Sequence, residues 1–343
     1  QFYVAVERLG KPGLTDKPVV VVHGPVVSAA SYEAKALGIR PGMPYFQARG
    51  IATAKKAGLA RLRENMQEYI AYSDAFMEIV REVNPEIEIG SIDEVVCRYV
   101  QADWREAEEK GRAIMARVHD ELGLTVSVGN GFSPYVAKMC AKHFKPDKMT
   151  TCHNFGEYAQ LFWHRSVDDL HEVGERRTAV LAQLGIKTIE QLAAAEFRKL
   201  RPAFGDDVAR FLIAAANGTA YRHFTPWYEQ ALIGQKGVSR SALIPFDKRG
   251  NLEAATEAVL KVAALVCDGL RDKSYQGRTI EVGLRYSAGG KTNRSTQHSL
   301  GFYTNDQATI VRESIKLLGG LYPKVSDAAP LINLVRVRVS GFK

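Results

Sequence analysis

Cysteine is scarce. Cys97, Cys140, Cys152 and Cys267 are scattered over 343 residues, with no CxxC pair among them. That spacing excludes a disulfide framework and a cysteine-based zinc site, and it fits a reducing cytoplasm. No run approaches the roughly 20 apolar residues of a membrane span. No basic stretch followed by an apolar one marks a secretory leader. Internal repeats and low-complexity tracts are also missing. What remains is an ordinary globular composition, 46% hydrophobic and 24% charged, long enough for about two to four units with real cores.

Net charge is absent from most of the chain. Residues 1–234 hold 29 charges of each sign, whereas residues 235–343 carry 17 Lys+Arg against 9 Asp+Glu, the whole of the net +8. A neutral body with a basic C-terminal module points to docking on a polyanion. A solubilising surface is the alternative.

The sequence begins at Gln1 and enters an apolar-aromatic run, FYVAV, that reads as a strand lacking its upstream residues. Further β-type runs are Pro18–Val22, Val26–Ala29, Glu86–Ile89, Val95–Val100 and Thr125–Val128. Between them, Met66–Val83 and Trp104–Leu122 have apolar residues at helix spacing. Strands separated by helices predict a mixed α/β domain with a central sheet. Residues 160–225 are helical, with short amphipathic helices flanking Glu172-Val173-Gly174 and another over Asp206–Asn217. Residues 226–234 read as an irregular linker. From residue 235 the order is βαββαβ: strands over Lys236–Ile244, Arg278–Ser287, Thr292–Phe302 (joined by a Gly289-Gly290 turn) and Leu331–Gly341, with two amphipathic helices. In the last strand Val335, Val337 and Val339 point one way and Arg336 and Arg338 the other. Arg294, beside Thr296 and His298, is expected to extend the same cationic face, which favours nucleic-acid binding.

The strongest local signal is Ser91-Ile92-Asp93-Glu94. Adjacent carboxylates on an extended strand point to opposite faces, so both reach one site only if the backbone bends there. Hard oxygens at such a bend suit Mg²⁺, which takes one or two carboxylates, waters and phosphates. Read in isolation, the tetrapeptide is also consistent with an exposed acidic turn. Around it stand Tyr32 and Lys35 in SYEAKALGIRPGMP, the segment TVSVGNGFSPYVAK running into HFKPD, and Gly174-Glu175-Arg176-Arg177 opening a helix whose N-terminus can face a phosphate.

In this order and spacing, these motifs resemble the Y-family translesion DNA polymerases over essentially the whole chain, with the wording around Lys35 and the C-terminal module most similar to the UmuC branch. The resemblance implies an α+β right-hand polymerase. Residues 1–160 would be palm and fingers (fingers about 18–65), 161–225 a helix-hairpin-helix thumb, and 235–343 a little-finger domain. It implies that Asp93 and Glu94 bind two Mg²⁺ ions, which Mn²⁺ can replace. Phe2 and Tyr3 would be the aromatic pair at the sugar, with Tyr3 the steric gate, and Tyr32, Lys35 and Lys145 would hold the triphosphate. Lys138, Val173, Gly174, Arg176 and Arg177, with Lys236, Arg240, Arg294, Thr296, Arg336 and Arg338, are the DNA-contact candidates. Primer-template DNA and deoxynucleoside triphosphates are the implied partners, with a sliding clamp and a recombinase filament or accessory subunits beyond them, in a cytoplasmic, nucleoid-associated setting. The sequence departs from the family in three ways. A further metal-binding Asp is expected three residues upstream of Gln1, Glu172 replaces a hairpin glycine, and Pro134-Tyr135 replaces a polar pair. A catalytically inactive DNA-binding subunit of a mutagenesis complex is the alternative function. A simple helix-hairpin-helix binding protein leaves the first 150 residues unexplained.

Overall fold

The computed structural model describes residues 1–99, 103–220, 224–226, 229, 236–287, 291–326 and 331–343. They fall into two units, Gln1–Leu232 and Ile233–Lys343. The expected linker, apart from 226 and 229, the Gly289-Gly290 turn and the end of the Val95–Val100 strand lie outside the described residues.

The opening run is not a strand. Phe2–Arg8 is a helix, α1, with Val4 and Val6 buried. Five apolar residues in a row carry no period of their own, so packing decides their conformation. Here the buried Tyr69 donates to the Glu7 carboxylate at 2.8 Å, and Lys11 closes on the same Glu7 one turn later at 2.9 Å.

Val19–His23 (β1) and Val26–Ala30 (β2) form an antiparallel pair. After helices Tyr32–Ala36 (α2) and Tyr45–Ala54 (α3), Ala60–Arg63 (β3) adds parallel to β1. The long helix Met66–Val83 (α4), capped by Asn65, leads into the antiparallel pair Ile87–Ser91 (β4) and Glu94–Cys97 (β5). Trp104–Leu122 (α5) starts at an Asp103 cap and ends at Gly123 in the left-handed conformation, φ 66°. Then Val128–Gly131 (β6), Pro134–His143 (α6) and Met149–Cys152 (β7) make a parallel strand–helix–strand unit.

Two expectations need correction here. The single central sheet is three small ones among the described residues, with order β2-β1-β3 and the pairs β4-β5 and β6-β7. The strand expected at Thr125–Val128 begins only at Val128. Its ladder to β7 begins with Val128 opposite Met149, and α6 crosses it closely from there. A Cβ on Gly129 would strike the Ala137 carbonyl and the Ala141 nitrogen, and one on Gly131 would strike Val136 and Ala137. Strand and helix meet only where the sequence supplies glycine.

Five helices follow: Phe155–Phe162 (α7), Glu175–Gln183 (α8), Ile189–Ala193 (α9), Phe197–Phe204 (α10) and Asp206–Ala216 (α11). Their apolar faces share one core with α6, including Tyr158, Phe162, Leu181, Leu192 and Leu212.

The second unit holds Gly237–Leu243 (β8), Leu252–Arg271 (α12), Gly277–Ser287 (β9), Lys291–Thr304 (β10), Gln307–Ser326 (α13) and Ile332–Phe342 (β11). The strands form one sheet, order β10-β9-β11-β8, with every pairing antiparallel. Its core joins Val259, Val262 and Val266 of α12 and Ile310 and Leu318 of α13 to Ile280, Val282, Leu284, Val335, Val337 and Val339 of the sheet. Both helices therefore cover the same face.

Candidate functional site

The bend required at Ser91-Ile92-Asp93-Glu94 is present. Ser91 pairs with Glu94 across a two-residue turn, with a register irregularity between Ile89 and Ser91. The Ser91 hydroxyl donates to Asp93 Oδ1 at 2.8 Å, which orients that carboxylate. Both acids are exposed at the tip. Glu94 accepts from Lys138 Nζ of α6, a pairing that sequence reading missed, having assigned Lys138 to DNA alone. Only chain folding reveals it, since 44 residues separate the two. No group of three or more His, Cys, Asp or Glu side chains poised for a metal occurs among the described residues. Two adjacent hard carboxylates nevertheless match the donor set of an Mg²⁺ ion that keeps waters and phosphate oxygens as its remaining ligands.

Tyr3 stands beside this tip. Burial, then the charges of Glu64 and Asp93, push its phenol above the ordinary tyrosine range. Its ring stacks on that of Tyr69 at 4.2 Å and 12°, and Tyr69 is fixed beneath by its bond to Glu7. The stack was legible only in part. Tyr69 lay on the apolar stripe of the long helix, but nothing in the sequence placed it under Tyr3. Phe2 is half-buried next to Tyr3, ring centroids 6.1 Å apart.

Ser31 caps α2 by accepting from the Ala34 N–H at 3.1 Å, which sets Tyr32 and Lys35 on its first turn. The Lys35 ammonium lies 5.4 Å from the Tyr32 ring centroid. Burial, then the positive charges of Lys145 and Arg40, hold Lys35 below the usual lysine range. Lys35 and Lys145 are thus neighbours across the fold. Neither has a carboxylate partner among the described residues. The Gln1 backbone nitrogen lies within electrostatic reach of Lys35, Asp93 and Lys145 together. Two neighbouring positive charges each favour an anion close by.

The Glu172-Val173-Gly174 loop corrects one reading. The Val173 side chain is buried in the helical core and its N–H donates to the Leu170 carbonyl at 3.2 Å, so Val173 has no free donor for a phosphate. Gly174 does start α8, whose first turn carries no side-chain cap, with Arg176 exposed. Arg177 turns back to donate to the Glu172 carbonyl at 2.6 Å. Glu172 sits at φ 68°, in the left-handed region that glycine adopts at little cost, so the departure noted in the sequence is also a conformational one. Pro134 opens α6 behind the Ser133 cap, where its missing N–H costs nothing. Tyr135 donates to the His171 carbonyl at 3.1 Å, linking α6 to this loop.

In the second unit, strand register sorts the DNA-contact candidates. Residues directly opposite across a ladder share a face. Arg336 pairs with Gly283 and Ser241, and Arg338 with Glu281 and Ser239, so both arginines lie on the helix-free face, as expected. Arg240 pairs with Val337, Arg294 with Leu284 and Thr296 with Val282, so these three lie on the opposite, helix-bearing side, at the two edge strands. The expectation that Arg294 extends the Arg336 surface fails because alternation fixes faces only within a strand; pairing register fixes them between strands. Lys236 is exposed just before β8. Two residues of the open face were not anticipated. Arg285, exposed, donates to Asn293 at 3.1 Å. Glu281 accepts from Arg336 at 2.5 Å and lies 4.0 Å from Arg338.

Similarity to known proteins places the chain in a family. Residues 1–142 match the impB/mucB/samB family and residues 235–343 its C-terminal domain. The chain is 32% identical to DNA polymerase IV of Moorella thermoacetica, over 99% of this chain and 83% of that protein. It is 30% identical to DNA polymerase IV 1 of Bacillus subtilis, over 86% and 70% respectively. Among solved structures it overlays on a Y-family DNA polymerase chimera of Dbh and Dpo4 with TM-score 0.82 at 19% identity, covering 99% of this chain and 96% of that one. The chain belongs to the impB/mucB/samB family, the Y-family DNA polymerases. These relatives bear the name DNA polymerase IV, so the likeness to the UmuC branch read around Lys35 is not supported by them.

Proposed function

We infer that this chain is a template-directed DNA polymerase that adds deoxynucleotides to a primer 3′ end in error-prone translesion synthesis. The observation that carries the reading is the exposed carboxylate pair at the β4–β5 tip, beside Tyr3 and the neighbouring lysines Lys35 and Lys145, neither of them in an ion pair among the described residues. The relatives named above are polymerases, which leaves the inactive-subunit reading without support.

Asp93 and Glu94 would hold the divalent metal, Mg²⁺ or Mn²⁺ in its place. When bound, the metal lowers the pKa of the attacking 3′-hydroxyl and neutralises the leaving pyrophosphate. Lys35, Lys145 and Tyr32 bind and orient the triphosphate, supplying charge where it accumulates. Tyr3, held flat on Tyr69, presents its ring to the sugar, so that a ribose 2′-hydroxyl has no room. Residues 1–160 act as palm and fingers, 161–225 as thumb and 235–343 as little finger. The uncapped start of α8, with Gly174 and Arg176, and the Arg285–Arg336–Arg338 face serve DNA phosphates, which position the duplex without reading its sequence. A sliding clamp and a recombinase filament or accessory subunits, as further partners, rest on family likeness alone. No helix among the described residues is long and apolar enough to cross a membrane.

Primer extension on a synthetic primer-template tests the reading. Asp93→Ala or Glu94→Ala abolishes extension while leaving duplex binding within a few-fold, because duplex affinity comes from other residues. Normal extension by either variant in Mg²⁺ overturns it.

A further inference from the structure

Lys138 does something the DNA-contact reading does not account for. It is the one side chain the structure shows bonded to Glu94 among the described residues, ammonium on carboxylate Oε1. The two meet across the fold from different elements, α6 and the β4–β5 tip. Lys138 is about a third exposed and Glu94 about half exposed, so the pair sits in partly screened surroundings rather than in a sealed core. Asp93, by contrast, is oriented by Ser91 and meets no cation in an ion pair among the described residues. The two carboxylates of one site are therefore held differently, one by a neutral hydroxyl and the other by a positive charge.

That difference has a chemical consequence. A carboxylate oxygen bonded to an ammonium presents its lone pairs to that group, and a divalent cation needs the same oxygens. A metal entering at Glu94 must share the carboxylate with Lys138 or displace it, and a neighbouring positive charge raises the energy of the dication in either case. We propose that Lys138 is a placeholder cation: a positioning residue that keeps Glu94 folded against α6 in the metal-free enzyme and competes with the divalent metal for that carboxylate. The inference rests on the assignment of Glu94 as a metal ligand. It adds to that assignment a competitor built into the protein, which sets how much metal the site needs before Glu94 turns to it.

Lys142 provides the control. It lies one helical turn beyond Lys138 on α6 and donates to the Asp169 carbonyl at 2.7 Å, away from Glu94. Lys138→Met and Lys142→Met each remove one positive charge, but only the first removes the bond to Glu94.

The experiment is direct Mn²⁺ binding to the full protein, read from the loss of the free-ion electron paramagnetic resonance signal, without DNA or nucleotide. The parent and Glu94→Gln establish which binding belongs to the site. Lys138→Met should bind Mn²⁺ about two- to fivefold more tightly than the parent, the range expected for loss of a partly exposed ion pair. Lys142→Met should change affinity less than about half as much. Lys138→Arg, which keeps the charge and adds a forked donor, should bind more weakly than Lys138→Met. If Lys138→Met misfolds, as judged by its melting transition, Lys138→Gln takes its place. Equal affinity of parent and Lys138→Met, or equal gains in both methionine variants, overturns the placeholder while leaving the metal site intact. Parent binding that Glu94→Gln does not weaken overturns the metal assignment itself, and the inference with it.

Discussion

Glu281 is the residue whose removal most sharply tests the DNA face of the second unit. The side chain is only 14% exposed and is shared by Arg336, at 2.5 Å, and Arg338, at 4.0 Å. Each phosphate neutralised on a duplex contributes about −0.9 to the slope of log K against log salt. Two free arginines would contribute about −1.8, but one carboxylate already satisfies roughly one of them, so the native pair should contribute nearer −0.9. Glu281→Gln keeps the shape and releases the arginines, so the slope should steepen by up to about 0.9. Over a fourfold drop in salt, that slope change alone amounts to roughly a three- to fourfold extra gain in affinity. Removing the ion pairs costs about 0.2–1 kcal/mol of stability, because both arginines are more than one third exposed. Fluorescence anisotropy of a labelled primer-template, titrated at four or more salt concentrations, measures the slope. If Glu281→Gln leaves both slope and affinity unchanged, Arg336 and Arg338 do not meet phosphate, and the charge of this module serves solubility instead. The double variant Arg336→Ala/Arg338→Ala must move the other way, flattening the slope.

Three further outcomes are expected. Tyr3→Ala should incorporate ribonucleotides far more readily relative to deoxynucleotides, measured by single-nucleotide insertion; an unchanged ratio would make Tyr3 a packing residue of the Tyr69 stack and nothing more. Glu172→Gly should stabilise the fold by up to about 1 kcal/mol, because relief of the left-handed strain outweighs the added freedom of the unfolded chain, and a lower melting temperature would refute that balance. Gly129→Ala should destabilise by about 1–3 kcal/mol or more, since the new methyl must push α6 off β6; denaturant titration with an unchanged midpoint would mean that the helix can shift without loss.

How much of this was legible in the sequence depended on the range of the interactions. The βαββαβ order, the long amphipathic helices and the bend at Ser91-Ile92-Asp93-Glu94 follow from periodicity and from what two adjacent carboxylates require, all within a few residues. So does the alternation that puts Arg336 and Arg338 opposite Val335, Val337 and Val339. The run opening Phe2–Arg8 reads as a strand in sequence because an unbroken apolar run has no period, and only the packing of Val4, Val6 and Glu7 against the rest of the fold selects the helix. Arg294 lies on the helix-bearing face rather than beside Arg336, because register between strands is a property of pairing that alternation within one strand does not fix. The bond between Lys138 and Glu94, the stack of Tyr3 on Tyr69 and the sharing of Glu281 by two arginines all join residues distant in sequence. Composition and spacing determine which groups this chain has and which local shapes it can take. Only the tertiary structure decides which of them touch, because a side chain's partners are set by where the whole backbone folds.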